Sequence, residues 1–325
     1  MRAVMGIDRW PGVDSFRDVA RISASAWGEA SDSTLEVFVV GDGGPRTADA
    51  FGADRMSVGG ALATPTSAGL LLSPKGGETR WNPQDLATAL LGLAASGDVQ
   101  GAVIIPLGDA TPAGDAVDVW GPVPTATQRA LAKLPMRVLV TSERPLLGFN
   151  GMSASLRSGR ESDAALAVAA QQQEERWRGI AATGDAIGSK GTLLGPNRLS
   201  DAPGSGAAGG LAYCLAALGG TLTRASDYLA DTVGLSDAVA GADVVISVGG
   251  PLTPVTMDNG LATTAARLAA RHALPAVAIT TELSVGRRDV MAAGLSGTHE
   301  GESGADGLAD VVRRVAQTWA PRRDA

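Results

Sequence analysis

The groups of this chain best placed to do chemistry are glycines and aspartates. Gly204, Gly206 and Gly209 have the spacing G-x-G-x-x-G, which after a buried strand brings backbone amides and a helix N-terminus to a pyrophosphate. Here the lead-in over residues 197–203 is polar and broken by Pro203. The spacing therefore reads as a glycine-rich helix start packed closely on a neighbour, not as a dinucleotide fingerprint. Leu211, Cys214, Leu215 and Leu218 follow at i, i+3, i+4 and i+7, which is one face of a helix. The stretch predicts a buried helix over 207–218, opened by residues 204–210, with its first amides open to an anion.

Further glycine-rich loops stand after apolar runs, at residues 41–44, 108–114 and 249–250. Several such loops at one sheet suit a site that wraps a phosphate in backbone amides, although each alone fits a tight strand-to-helix turn. Asp8 and Asp42 follow the apolar runs 3–7 and 35–40, at the strand ends where functional groups gather in parallel sheets. Other chemistries find little material. His272 and His299 are the only histidines; the first reads as a helix-tail charge and the second as a loop residue, without a triad setting. Cys214 is the only cysteine, which excludes disulfides and cysteine-metal sites. Residues 188–192, Gly-Ser-Lys-Gly-Thr, have the types of a Walker A loop but not its spacing.

The elements that must position these residues alternate in βα fashion. Apolar runs at 3–7, 35–40, 102–107, 136–140, 243–248 and 276–280 read as strands. Helical spacing covers 13–30, 83–96, 125–134, 161–179, 227–239, 262–273 and 308–319. Residues 56–72 read as less regular and extended, and 183–203 as irregular connection. The chain has 325 residues, 45% of them hydrophobic, 4% aromatic and 43 of them glycine. Two domains are expected at this length, with residues 1–120 and 236–325 forming a discontinuous Rossmann-like domain and 121–235 a second α/β domain. A net charge of −7 argues against a nucleic-acid surface. No apolar run of membrane-spanning length and no signal-peptide run occurs, so a cytoplasmic protein without a membrane partner is expected.

Two segments resemble the bacterial glycerate kinases closely. Residues 145–153, Pro-Leu-Leu-Gly-Phe-Asn-Gly-Met-Ser, look like that family's N-P-L-L-G-x-x-G-A-S, and residues 203–211, Pro-Gly-Ser-Gly-Ala-Ala-Gly-Gly-Leu, resemble its P-G-A-G-A-A-G-G-L. This second match takes in Gly210 as well. Val233-Gly234-Leu235 and residues 242–246 follow the family too. At the N-terminus Asp8 and Gly12 match the ends of D-S-F-K-G, and Asp42-Gly43-Gly44 with Thr47 matches D-G-G-E-G-T. The resemblance implies a two-domain α/β glycerate kinase-like fold, a Rossmann-like parallel sheet domain plus a second α/β domain. It implies ATP-dependent phosphorylation of D-glycerate with Mg-ATP, Asp8 and Asp42 as the catalytic positions, and Gly43, Gly44, Gly108, Gly204, Gly206, Gly209, Gly210 and Arg144 as ligand-binding positions.

The departures fall where the chemistry would be. The lysine of D-S-F-K-G falls on Pro11 and the glutamate of D-G-G-E-G-T on Pro45. The G-G-S-A-T-N-D-G-G loop is shortened at residues 108–114 and lacks its Asn-Asp pair. The aspartate and asparagine of D-V-x-N-P-L fall on Thr141 and Arg144. In the late motif G-E-G-R-x-D-x-Q-T, Glu, Arg, Asp and Gln become Gly249, Pro251, Thr253 and Val255. Phosphoryl transfer needs cations at the phosphates and carboxylates for the metal, and losing one such group costs on the order of 10³-fold. Two readings stand: a binding or regulatory homologue for a small molecule such as glycerate or a nucleotide, and an active kinase on glycerate or a related hydroxy acid. The second would rebuild its site with Arg9 as the cation and Asp8, Asp42, Asp109 or Asp115 at the metal.

Overall fold

The computed structural model describes residues 1–52, 54–157, 163–188 and 198–321. The chain opens with β1 (Arg2–Ile7), α1 (Phe16–Ala30), β2 (Thr34–Val39), β3 (Met56–Val58), β4 (Ala61–Thr66), β5 (Gly69–Pro74), α2 (Pro83–Ser96) and β6 (Ala102–Pro106). It continues through α3 (Pro124–Leu131), β7 (Met136–Val140), α4 (Ala164–Gly188), α5 (Leu211–Ala217), β8 (Thr221–Arg224), α6 (Ala225–Thr232) and α7 (Leu235–Val239). It closes with β9 (Val244–Val248), α8 (Pro254–Asn259), α9 (Leu261–Ala270), β10 (Ala276–Thr280), α10 (Arg287–Ala292), β11 (Gly297–Glu300) and α11 (Ala305–Trp319). Two compact units result: Met1–Asp42 with Asp49–Phe51 and Ala225–Ala325, and Gly43–Ala48 with Gly52–Arg224.

The first unit is an all-parallel sheet in the order β11-β10-β9-β1-β2. Its central strands β9 and β10 are buried at every residue, as expected where helices cover both faces of a parallel sheet. One face packs on α1 and α11 around Trp10, Trp27, Val311 and Val315. Ser15 starts α1 by accepting the Asp18 amide at 3.1 Å, a side-chain N-cap. On β1, a Cβ at Gly6 would come within 3.1 Å of Leu235 and 3.2 Å of Leu261, so this glycine lets those leucines close down on the sheet.

The second unit has the order β3-β4-β5-β6-β7-β8, with β3/β4 and β4/β5 antiparallel and the other pairs parallel. Trp81, Leu86, Leu90, Ile105, Val138, Trp177, Tyr213 and Leu215 share its core. Helix α2 carries both ends of a good helix sentence. Asn82 accepts from the Gln84 and Asp85 amides, Pro83 sits in the first turn, and Gly97 ends it in the left-handed region at φ +69°.

Several expectations shift. The sequence reading gave residues 1–120 to the first sheet, but β3 to β6 pair in the second one, so the change of unit falls around residues 43–52. The extended region 56–72 resolves into antiparallel strands β3, β4 and β5. The helix expected over 227–239 is two helices, broken at Gly234 with φ +81°. Helix α4 runs on to Gly188, beyond the expected end at 179: Gly179 and Gly184 look like helix breaks in sequence, but Gly184 lies within the helix where a Cβ would overlap the Tyr213 ring. His299 lies on edge strand β11, not in a loop. The Walker-like residues 189–192 fall outside the described residues.

Candidate functional site

In the first unit, loops after three neighbouring strands converge. Asp8 follows β1, and its amide donates to Val248 O at 2.8 Å. Asp42 follows β2, and Arg9 Nε donates to Asp42 Oδ2 in an ion pair. Gly249, after β9, lies against Asp8, so that a Cβ there would stand 3.5 Å from Asp8 Cβ. The Arg9 amide donates to Asp8 Oδ1 at 2.6 Å, while the guanidinium lies 4.5 Å from the Phe16 ring centroid, a cation–π contact. Arg9 Nη2 is buried and has no hydrogen-bond partner among the described residues.

The electrostatics of this group are lopsided. Burial first, and then the Asp42 carboxylate, push Asp8 up to about 7, against the opposing pull of the Arg9 amide and charge. Asp8 thus holds its proton well above the usual carboxylate range, and Asp42 is ion-paired with Arg9. A magnesium ion takes hard oxygen ligands in near-octahedral geometry, commonly one or two carboxylates together with substrate phosphates. With the Arg9 guanidinium held on Asp42, the pair as arranged does not offer two free carboxylates to that ion.

In the second unit, four loops meet at the carboxyl end of the sheet. The Gly108 amide donates to Gly43 O at 3.0 Å, and a Cβ at Gly108 would lie 3.2 Å from Gly44 Cα. A Cβ at Gly209 would lie 3.1 Å from Pro112 and 3.2 Å from Thr111. The Gly206 amide donates to Arg144 O at 2.9 Å. Asp109 is raised by burial of its carboxyl and held down by the Arg144 charge and the Ala208 amide. The Arg144 charge thus acts on the Asp109 carboxyl at these loops.

The glycine run itself departs from expectation. Residues 207–210 form a tight 3-10 turn in which Ala208, Gly209 and Gly210 are left-handed, and α5 begins only at Leu211. Amides expected to be open are engaged: Ser205 N with Ala202 O, Gly206 N with Arg144 O and Ala207 N with Gly204 O. The glycines serve close packing. A Cβ at Gly204 would meet Val140 at 2.8 Å, one at Gly206 would meet Pro145 O at 2.5 Å, and one at Gly210 would overlap the Trp177 ring.

Asp115, the other candidate acid, pairs with Arg176. His299 accepts a hydrogen bond from Trp319 Nε1 at 3.3 Å and is held below its usual range by burial and the Arg314 charge. His272 lies in the turn after α9. Cys214 is buried on α5. No three His, Cys, Asp or Glu residues gather as a metal set among the described residues. Likewise, no helix among them is long and apolar enough to cross a membrane. Sequence reasoning missed Asp185, which lies in the stretch read as irregular and is described below.

The two-unit α/β fold is one found in a solved kinase-like structure. Over 98% of this chain and 97% of the other, it superposes with a TM-score of 0.62 and 18% identity on the crystal structure of a protein assigned as glycerate kinase 2 from Salmonella typhimurium LT2. At that identity the likeness carries the fold alone. The glycerate kinase family model matches residues 111–321, and this chain belongs to the glycerate kinase family. No curated protein matches it in sequence.

Proposed function

We propose that this family member binds a small organic acid of the glycerate type, or a nucleotide, and does not carry out the family's ATP-dependent phosphorylation, acting as a binding or regulatory homologue. The observation that carries this reading is the Arg9–Asp42 ion pair, with the Arg9 amide on Asp8 beside it. Transfer of a phosphoryl group is catalysed by positioning and by charge already in place to meet its oxygens. Here the two acids that match the family are both engaged by Arg9, Asp42 by its guanidinium and Asp8 by its amide. Arg144, whose charge acts on Asp109 at the convergent loops of the second unit, is the cation placed to meet a ligand carboxylate, with Gly43, Gly44, Gly108, Gly204, Gly206, Gly209 and Gly210 shaping the backbone around it. The net charge of −7 argues against a nucleic-acid ligand.

The test pairs binding with turnover. D-Glycerate, ADP or ATP is expected to raise the melting temperature, because a ligand that binds only the native state stabilises it. A coupled assay with Mg-ATP and D-glycerate is expected to show no turnover above background. Turnover of roughly 1 s⁻¹ or more, in the range of ordinary kinases, abolished by Asp42→Ala, would overturn the reading. The orphaned Arg9 Nη2 favours one alternative, in which Arg9 leaves Asp42 to meet a phosphate and Asp8 and Asp42 become metal ligands. That alternative requires Arg9→Ala to abolish turnover as well.

A further inference from the structure

Resting on the reading that Arg144 meets the ligand, we infer that Asp185 is a positioning residue for Arg144, acting through Ser200 and Ser205. Asp185 sits in the last turns of α4 and is half-buried. Its Oδ1 accepts the Ser200 amide at 3.0 Å and the Tyr213 hydroxyl at 2.9 Å, and its Oδ2 accepts the Ser200 hydroxyl at 2.8 Å. Ser200 passes the constraint on. Its carbonyl accepts from Ser205 Oγ at 3.1 Å and from the Leu146 amide at 3.1 Å.

The Leu146 amide also reaches Ser205 Oγ at 2.8 Å, and the Gly206 amide holds Arg144 O at 2.9 Å. The backbone on both sides of the Arg144–Pro145 peptide is therefore tied to the 200–206 turn. Ser200 and Ser205 are almost fully buried, so no solvent bond replaces these when they fail. Tyr213 keeps a second acceptor, Ala181 O at 3.0 Å, so the seam between α4 and α5 survives without Asp185. What depends on Asp185 is Ser200, and through it the placement of Arg144.

The experiment is isothermal titration of D-glycerate into the full-length protein and variants, beside amide hydrogen exchange. Asp185→Ala is expected to weaken binding about tenfold or more, the scale of hydrogen bonds to a charged acceptor. Asp185→Asn should recover most of it, since its amide oxygen still accepts from Ser200 N and its NH2 donates to Ser200 Oγ. Tyr213→Phe should leave affinity near wild type. In an Arg144→Ala background, Asp185→Ala should cause no further loss, because coupled residues are not additive. An equal loss in both backgrounds, or unchanged affinity beside a lowered melting temperature, overturns the inference.

If wild type binds no D-glycerate, the functional reading fails and exchange decides the positioning. The Leu146 and Gly206 amides should then exchange about tenfold faster in Asp185→Ala, with Asp185→Asn near wild type and β6 amides unchanged. Equal protection overturns it. Should Asp185→Ala not fold, Ser200→Ala, which keeps the Ser200 amide bond, takes its place with a smaller effect in the same direction.

Discussion

Asp8→Asn should stabilise the protein, and by an amount that grows with pH. The Asp8 carboxyl is raised from 3.8 to about 7 by burial and by Asp42. Between those values the native state holds a proton that the unfolded chain has released, so stability falls as pH rises through the window. Below about pH 4 both states are protonated and the group contributes no penalty. Above about pH 7 the full penalty is present, roughly 4 kcal/mol for a displacement of this size. Asp8 titrates beside the Asp42 carboxylate and the Arg9 charge, so that figure is a ceiling and about 2 kcal/mol is a reasonable target. Asparagine keeps an oxygen for the Arg9 amide, which now donates to Asp8 Oδ1 at 2.6 Å, and removes only the charge. The assay is urea unfolding of wild type and Asp8→Asn from about pH 5 to about pH 8, with the stability difference plotted against pH. A difference that is flat across that range would refute the reasoning. So would millimolar magnesium stabilising wild type at about pH 8 but not Asp8→Asn, since the carboxylate would then be serving a cation.

Gly210→Ala should destabilise by about 3 kcal/mol, combining overlap with the Trp177 ring and a left-handed φ of +88°. Gly219→Ala, at φ +105° with nothing within 4 Å, should cost only about 1–2 kcal/mol; equal losses in chemical denaturation would remove packing as the cause. Tyr213→Phe should cost about 1–2 kcal/mol by the same assay, for its buried hydroxyl bonds to Asp185 and Ala181 O. Asp109→Asn should strengthen D-glycerate binding severalfold by freeing the Arg144 charge that now answers Asp109; unchanged affinity in titration calorimetry would separate Arg144 from the ligand.

What the sequence makes legible follows from how local the physics is. The strands 3–7, 243–248 and 276–280 announce themselves because both faces are buried and every residue is apolar. Helix α2 is equally clear, with Asn82 and Pro83 at one end and Gly97 at the other. Strands β8 and β11 escape, being four residues each with exposed ends and no full apolar run. The break at Gly234 is hidden because the apolar period continues across it, and only the positive φ reveals it. The assignment of β3 to β6 to the second sheet depends on pairing partners distant in sequence, which local periodicity does not encode. At the site, Asp8 and Asp42 are visible from their place after strands, but the ion pair to Arg9 is not, since it spans two loops. Asp185 is invisible for a further reason: its partners Ser200 and Tyr213 lie on segments that only the folded chain brings to α4.

The glycine run shows why such a scaffold is kept whatever chemistry it serves. Gly204, Gly206 and Gly210 are each required by a contact that a methyl group would violate, so replacing any of them costs stability regardless of what the protein binds. Pro11 is exposed and bears no such constraint, whereas Pro45 is buried and Thr253 caps α8 by accepting the Thr256 amide at 3.2 Å; a charged tip on an exposed loop can be exchanged at little cost to folding. The charges present in these loops are met within the chain, as Arg9 pairs with Asp42 and the Arg144 charge acts on Asp109. That pairing relieves repulsion and stabilises the unliganded loops. On the proposed reading it also sets a condition for phosphoryl transfer, because a lysine placed at position 11 must compete with Arg9 for Asp42 before it can meet a phosphate. Pro11→Lys alone should therefore stay inactive, and the double variant Arg9→Ser with Pro11→Lys is the smaller step back toward transfer.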